Sequence, residues 1–195
     1  SLYFPLSNEL IEEFDDLNNA NSGQISILAR KVDSRLSEVI RDGADTIEIS
    51  ANVYNGNGIS YRTVDKEVQE DAQRISFKGD GTYAFISSSE LDLSAVLANG
   101  SVQFAINLLQ RPSEPVSVTI ECGENCNYSV DVTAAIRALP LNQWQKVTVP
   151  MVCFGIKSDD ATKVTIPFSL ASKDVLSLEI AEIAIKGTSS TVSCN

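Results

Sequence analysis

The chain has 195 residues, 43% of them hydrophobic and 21% charged, which is enough for one substantial core and too apolar for wholesale disorder. Its 26 acidic residues against 15 basic ones give a net charge of -11, so the averaged surface repels phosphate, disfavours an anionic membrane and lacks the basic stripe of a nucleic-acid binder. Histidine is absent, which removes every Ser-His-Asp or Cys-His catalytic device, and no run approaches the ~18 apolar residues of a membrane-spanning helix.

Leu2, Phe4 and Leu6 alternate ahead of the acidic segment Glu9 to Asp16, so residues 1–20 read as a first strand or as a linker. Ser1 is not a natural start, and the chain is expected to be a C-terminal piece of something longer, with residues 1–195 forming one domain. Gly23 to Val32 reads as a strand with Ile25 and Ile27 on one face. Ser34 to Asp42 reads as a short helix capped by Ser34, with Leu36, Val39 and Ile40 inward and Gly43 just past its end. Thr46 to Tyr54 alternates as one strand and runs into Asn55-Gly56-Asn57-Gly58, a strong hairpin signal.

Ile59 to Gly79 gives the weakest pattern: Tyr61, Arg62 and Asp65 lead into Val68 to Ala72, and a strand with Ile75 and Phe77 follows. Gly79-Asp80-Gly81 is a turn, and Tyr83 to Ser87 is expected to be the hairpin partner across it. Leu91 to Leu97 is a loop or helical turn, and Gly100 opens a strand with Val102, Phe104, Ile106 and Leu108. Val116 to Cys122 alternates again, and Gly123-Glu124-Asn125 brings Cys126 close enough to Cys122 for a disulfide. Thr133 to Leu139 is a short helix capped by Asp131 or Thr133 and stopped by Pro140. In the next strand Trp144, Val147, Val149, Met151 and Cys153 are the expected inward set, and Pro150 marks a bulge or an edge. Ile166, Phe168 and Leu170 form one further strand, and Leu176, Leu178 and Ile180 another. The latter slips parity at Ala181 and Glu182 before Ile183 and Ile185, the mark of a β-bulge or a break. About nine strands, two short helices and frequent turn signals describe an all-β sandwich of jelly-roll type.

Four cysteines, two of them clasped by a five-residue turn, suit the periplasm or the outside of the cell better than cytosol. Zinc is disfavoured, because there is no histidine and the cysteine spacings of 4, 27 and 41 give no pair of paired ligands. Whether Cys153 and Cys194 pair stays open at the level of sequence.

Several motifs arrive in one order: QEDAQRISFKG (Gln69 to Gly79), C-x3-C at Cys122 and Cys126, DVTAAIRALPLNQWQKVTVPMVCF (Asp131 to Phe154), VTIPFSL (Val164 to Leu170) and LSLEIAEIAI (Leu176 to Ile185). Together they resemble the extra C-terminal domain of bacterial glycoside hydrolase family 3 exo-1,3/1,4-β-glucanases and β-glucosidases, over roughly Tyr61 to the end. The resemblance implies a galactose-binding-like jelly roll that is not itself catalytic, carried by a periplasmic or secreted enzyme that removes glucose from β-glucan ends. Its implied partners are the catalytic domains of the same polypeptide and β-glucan. No cofactor follows, apart from the structural calcium that such jelly rolls often hold, for which Glu182 at the bulge, or Glu90 and Asp92, are the carboxylates on hand.

A glycosidase needs two carboxyls ~5 to 9.5 Å apart with separated pKa values, and none of the adjacent pairs Asp15-Asp16, Glu70-Asp71 or Asp159-Asp160 is singled out above chance. Two roles are then weighed. In the first the domain docks on its catalytic unit and lends a loop to substrate positioning, with Gln69, Glu70 and Asp71 as candidates; the alternative for them is a solvated turn capped by its own carboxylates. In the second it binds β-glucan by itself, through Tyr54, Asn55, Asn57, Tyr61 and Arg62 around one hairpin and Tyr128 beside the cysteine clasp. Trp144 is expected to be framework.

Overall fold

Strand β14, Leu176–Gly187, is the axis of the molecule. The computed structural model describes residues 2–4, 23–29, 31–67, 71–187 and 194. Ahead of β14 come β1 (Leu2–Phe4), β2 (Ile25–Leu28), β3 (Leu36–Asp42), β4 (Asp45–Glu48), β5 (Val53–Asn55), β6 (Ile59–Val64), β7 (Ala72–Phe77), β8 (Gly81–Ser87), β9 (Gly100–Gln110), β10 (Val116–Glu121), β11 (Asn127–Asp131), β12 (Trp144–Pro150) and β13 (Ile166–Ser172). Two short helices, α1 (Thr133–Arg137) and α2 (Ser158–Ala161), and 3-10 turns at Ser94–Val96 and Met151–Phe154 complete the described elements. The larger sheet runs β1-β12-β9-β14-β7-β6-β5 with β2 also on β14, and the smaller runs β11-β10-β13-β8-β3-β4. Every pairing between these strands is antiparallel, as the jelly-roll sandwich expected from the sequence requires.

Alternation of apolar residues aims one face of each sheet at a shared core. Rings from both sheets meet there: Phe104 of β9 lies 5.5 Å from Phe168 of β13, Phe168 lies 6.4 Å from Phe85 of β8, and Tyr83 continues the line to Tyr61 of β6 at 6.1 Å. At the Tyr61 end the core includes one carboxyl. Glu38 of β3 accepts from the Tyr61 hydroxyl at 3.1 Å and from the Tyr83 hydroxyl, and burial pushes its pKa above the ordinary 4.5. The same burial pushes both tyrosines up.

The parity slip expected at Ala181 and Glu182 is a β-bulge. Glu182 takes φ 52°, and the register of β14 on β9 shifts between Ala181 and Ala184. The bulge transfers the other edge of β14 between partners: Leu176–Ile180 pair with β7, whereas Ile183–Ile185 pair with β2. Both cysteine pairs, Cys122–Cys126 and Cys153–Cys194, are disulfides. Neither Asp131 nor Thr133 is the cap of α1: Val132 holds that position without a side-chain cap, and Asp131 Oδ1 accepts from the Thr133 amide at 2.8 Å just ahead of the helix, whose Ile136 is buried with the following Leu139.

Three expectations about local structure are corrected. Ser34–Asp42 is not a helix: Leu36–Asp42 is β3, paired with β8 and β4. Its Leu36 and Ile40 face the core while Val39 packs on the opposite face with Ala84 and Ile166, so apolar residues on both faces imitate helical spacing. Thr46–Tyr54 is not one strand; β4 edges the smaller sheet and β5 edges the larger. Across Gly79-Asp80-Gly81 the chain passes from β7 in one sheet to β8 in the other, so the two are not hairpin partners. Gly58 is held against this turn, accepting the Lys78 and Gly79 amides at 2.8 and 3.2 Å; a Cβ there would lie 2.5 Å from the Asp80 carbonyl oxygen.

Candidate functional site

The outward face of the larger sheet carries a row of chemically distinct side chains. Strand registers set Trp144 opposite Asn107, Asn107 opposite Glu179, Glu179 opposite Arg74, Arg74 opposite Arg62 and Arg62 opposite Val53. Six strands at ~4.8 Å spacing make this row roughly 24 Å long. Each member has outward parity, since Leu108, Leu178, Ile75 and Tyr61 beside them point into the core.

Glu179 organises the middle of the row. Its Oε2 accepts from Arg74 Nη2 at 2.8 Å and Nε at 3.0 Å, and its Oε1 accepts from Asn107 Nδ2 at 2.9 Å. A carboxylate only accepts, so this contact fixes the Asn107 amide with its nitrogen toward Glu179 and leaves Oδ1 without a partner among the described residues. One register further on, the Ser76 and Ser177 hydroxyls meet at 3.2 Å. Beyond Arg74 the face opens into a depression of about 220 Å³ lined by Val53, Asn55, Ser60, Tyr61, Arg62, Arg74 and Ser76.

The Trp144 end is roofed by the loop between β6 and β7. Asp71 gathers this loop, accepting from the Lys66 amide at 2.5 Å and the Glu67 amide at 3.0 Å. The small side chains of Ala72, Ala181 and Ala105 form a cluster with Val64 and Trp144, and Lys66 lies over that tryptophan. Its ammonium lies 5.4 Å from the centre of the Trp144 ring and pairs with Glu182 Oε1 at 3.3 Å and Glu67 Oε1 at 3.1 Å. Burial raises the Glu182 pKa, and the Lys66 charge opposes that rise.

Residues 37–185 match a family model, Exop_C, described as a galactose-binding domain-like family. The chain belongs to the Exop_C family. A search of curated protein sequences finds no match. Among solved structures, the exo-1,3/1,4-β-glucanase (EXOP) of a Pseudoalteromonas species aligns over 87% of this chain at 15% identity and a TM-score of 0.70. This chain spans 21% of that enzyme. The isolated extra C-terminal domain of the same glucanase aligns over 86% of this chain and 96% of its own length, at 13% identity and a TM-score of 0.67. A family 30 carbohydrate-binding module of a Clostridium thermocellum cellulosomal cellulase covers 86% of this chain and 99% of itself, at 15% identity and a TM-score of 0.60. At these identities the likeness is one of fold.

Within this Exop_C fold the residues expected from the sequence scatter. Tyr61 is 4% exposed and points into the core, so it cannot meet a ligand on the surface. Tyr54 is half-buried against the core, and its hydroxyl donates to Asp42 Oδ2 at 3.0 Å. Asp42 also accepts from the Asn57 amide at 3.0 Å and the Gly58 amide at 2.8 Å, so Tyr54 and Asn57 build the hairpin tip. Tyr128 donates to Asp160 and packs against the core from the smaller sheet, away from the polar row. Of that set Asn55, Tyr61 and Arg62 border the depression on the outer face, although the Tyr61 ring itself turns into the core. Gln69 and Glu70 lie outside the described residues, and Asp71 binds its own loop.

The calcium candidates are not assembled. Asp92 caps the Ser94 amide at 2.9 Å, Glu90 is exposed beside it, and Glu182 has Lys66 for its cation. Among the described residues, one group of three ligand-type side chains falls within 4.8 Å, Cys122, Cys126 and Asp160, and its two sulfurs are joined to each other.

Lys66, Arg74, Asn107 and Glu179 are not singled out by any local motif, and Trp144 faces outward rather than inward as the sequence reading expects. Strand parity carries the signal: Trp144 and Val147 differ by three positions and must face opposite sides of a period-two strand. Arg74, Asn107 and Glu179 share the polar parity of three strands whose other residues are core.

Proposed function

We propose that the chain is a non-catalytic accessory domain of a glycan-degrading enzyme of the exo-β-glucanase type, and that the outer face of its larger sheet meets a polysaccharide chain. The carrying observation is the six-strand row from Trp144 to Val53. It offers guanidinium donors and the exposed Val53 at one end, fixed amide and carboxylate groups in the middle and the partly buried Trp144 ring at the other, a mix of apolar surface and placed polar groups of the kind sugars require. Kinship of fold with a glucanase C-terminal domain and a carbohydrate-binding module supports the reading. Two disulfides suit a periplasmic or secreted setting. Docking on the catalytic unit through Asp71 is the weaker reading, because that carboxylate already accepts two amides of its own loop.

Migration in native gels cast with laminarin, mixed-linkage β-glucan or soluble cellulose tests the proposal. Retardation by at least one glucan, lost in Trp144→Ala with an unchanged circular dichroism spectrum, is the expected result. Equal mobility in every gel and in its absence would sink glycan binding for the domain.

A further inference from the structure

We propose that the depression between Arg62 and Arg74 is a subsite for a sugar unit bearing one anionic group, a uronic acid carboxylate or a sulfate ester. This rests on the reading of the outer face as glycan-contacting and adds what that glycan carries.

Arg62 and Arg74 sit directly opposite each other on the neighbouring strands β6 and β7. Like charges in that position repel unless something stands between them. Glu179 offsets Arg74 from the far side, its Oε2 taking both Nη2 and Nε while its Oε1 takes Asn107, so the charge left uncompensated at the depression is that of Arg62. Arg74 Nη1 is not used in that pairing, and the Arg74 side chain stays 40% exposed. The Arg62 side chain is exposed and has no hydrogen-bond or ion-pair partner among the described residues. A chain with 26 acidic residues has carboxylates to spare, yet none of the residues lining this depression is acidic.

The remaining walls suit a sugar. Asn55, Ser60 and Ser76 offer an amide and two hydroxyls, and Val53, 53% exposed, gives an apolar surface for ring C-H groups. A guanidinium presents paired N-H donors in the spacing of a carboxylate or sulfate. The protein's net charge of -11 opposes a dense polyanion, so the fitting ligand is a largely neutral glycan carrying an isolated acidic unit.

Calorimetric titration of the chain with four saccharides of equal length tests this: a glucuronic-acid-bearing oligosaccharide, its methyl ester, a sulfated counterpart and a neutral gluco-oligosaccharide. The acid is expected to bind about tenfold more tightly than its ester at low salt, with the gap narrowing as salt screens it. Arg62→Gln should remove that advantage, so that acid and ester bind alike, while Arg62→Lys, which keeps charge without the fork, should retain part of it. Preference for the sulfated ligand over the uronide would assign the anion as sulfate. Equal affinity for acid, ester and neutral ligand, or indifference to Arg62→Gln, overturns the anion subsite and leaves the glycan-binding face standing. Binding of no saccharide overturns both.

Discussion

Lys66 Nζ lies over the Trp144 ring at 5.4 Å and 3.3 Å from Glu182 Oε1, so one ammonium ties the β6–β7 loop to the single tryptophan and to the bulge of β14. The Lys66 side chain is 3% exposed, and a cation so enclosed is held only while both partners remain.

Lys66→Ala is expected to shift the tryptophan emission to the red and to leave Glu182 without its cation. The folded-state pKa of Glu182 already stands above its ordinary 4.5 and rises further without Lys66. A raised carboxyl contributes stability that is full at low pH and is lost as pH climbs through the folded value. The deficit of the variant against the parent should therefore widen as pH rises above the ordinary 4.5. Urea midpoints across that range check it, and a constant deficit would refute the assignment.

Glu38 follows the same sign from a different place. Its carboxyl is pushed up by burial between the sheets, so its contribution is present below the ordinary 4.5 and declines as pH rises through the folded pKa. Glu38→Gln cannot titrate, and its stability should vary less between pH 4.5 and neutrality than that of the parent. Superimposable pH profiles would place the titration elsewhere.

Asp42 fastens the β5–β6 hairpin through Tyr54, Asn57 and Gly58. Asp42→Ala is expected to cost about 1–2 kcal/mol, since three donors lose a charged acceptor at a partly solvated tip. Amide exchange at Asn57 and Gly58 should quicken well beyond that of core strands; unchanged protection would show that the tip holds without the carboxylate.

The two disulfides should differ in worth. Loop-closure entropy assigns ~2 kcal/mol to Cys122–Cys126, with a separation of 4, and ~4 kcal/mol to Cys153–Cys194, with a separation of 41. Paired alanine substitutions read by denaturant midpoint give the comparison, and the reverse order would put native-state packing ahead of chain entropy.

Local chemistry was legible in the sequence where one stretch of chain decides the outcome. The parity slip at Ala181 and Glu182 forecast the bulge, and Asn55 to Gly58 forecast the hairpin, because turn geometry is a property of adjacent residues. The segment around Glu38 shows the limit: Val39 on the outer face made Leu36 to Ile40 look helical, and nothing nearby in sequence reveals the two tyrosines that donate to the Glu38 carboxyl. Tyr61 looked like a sugar contact beside a turn until its pairing with Ile75 fixed its parity toward the core. The polar row is the least legible feature of all. Arg74 and Glu179 meet across 105 positions, and strand order, which the sequence does not print, decides that they are neighbours.

The position of β14 has a consequence for how the chain is made. It follows every other described strand in chain order, yet it stands between β9 on one side and β7 and β2 on the other. Without the residues from Leu176 onward, β6 with β7 and β9 with β12 are two unjoined fragments of a sheet, each with a bare edge. Joining the two halves of the sheet therefore waits on the last described strand, and Glu179, which links the two halves of the polar row, arrives only after both are in the chain.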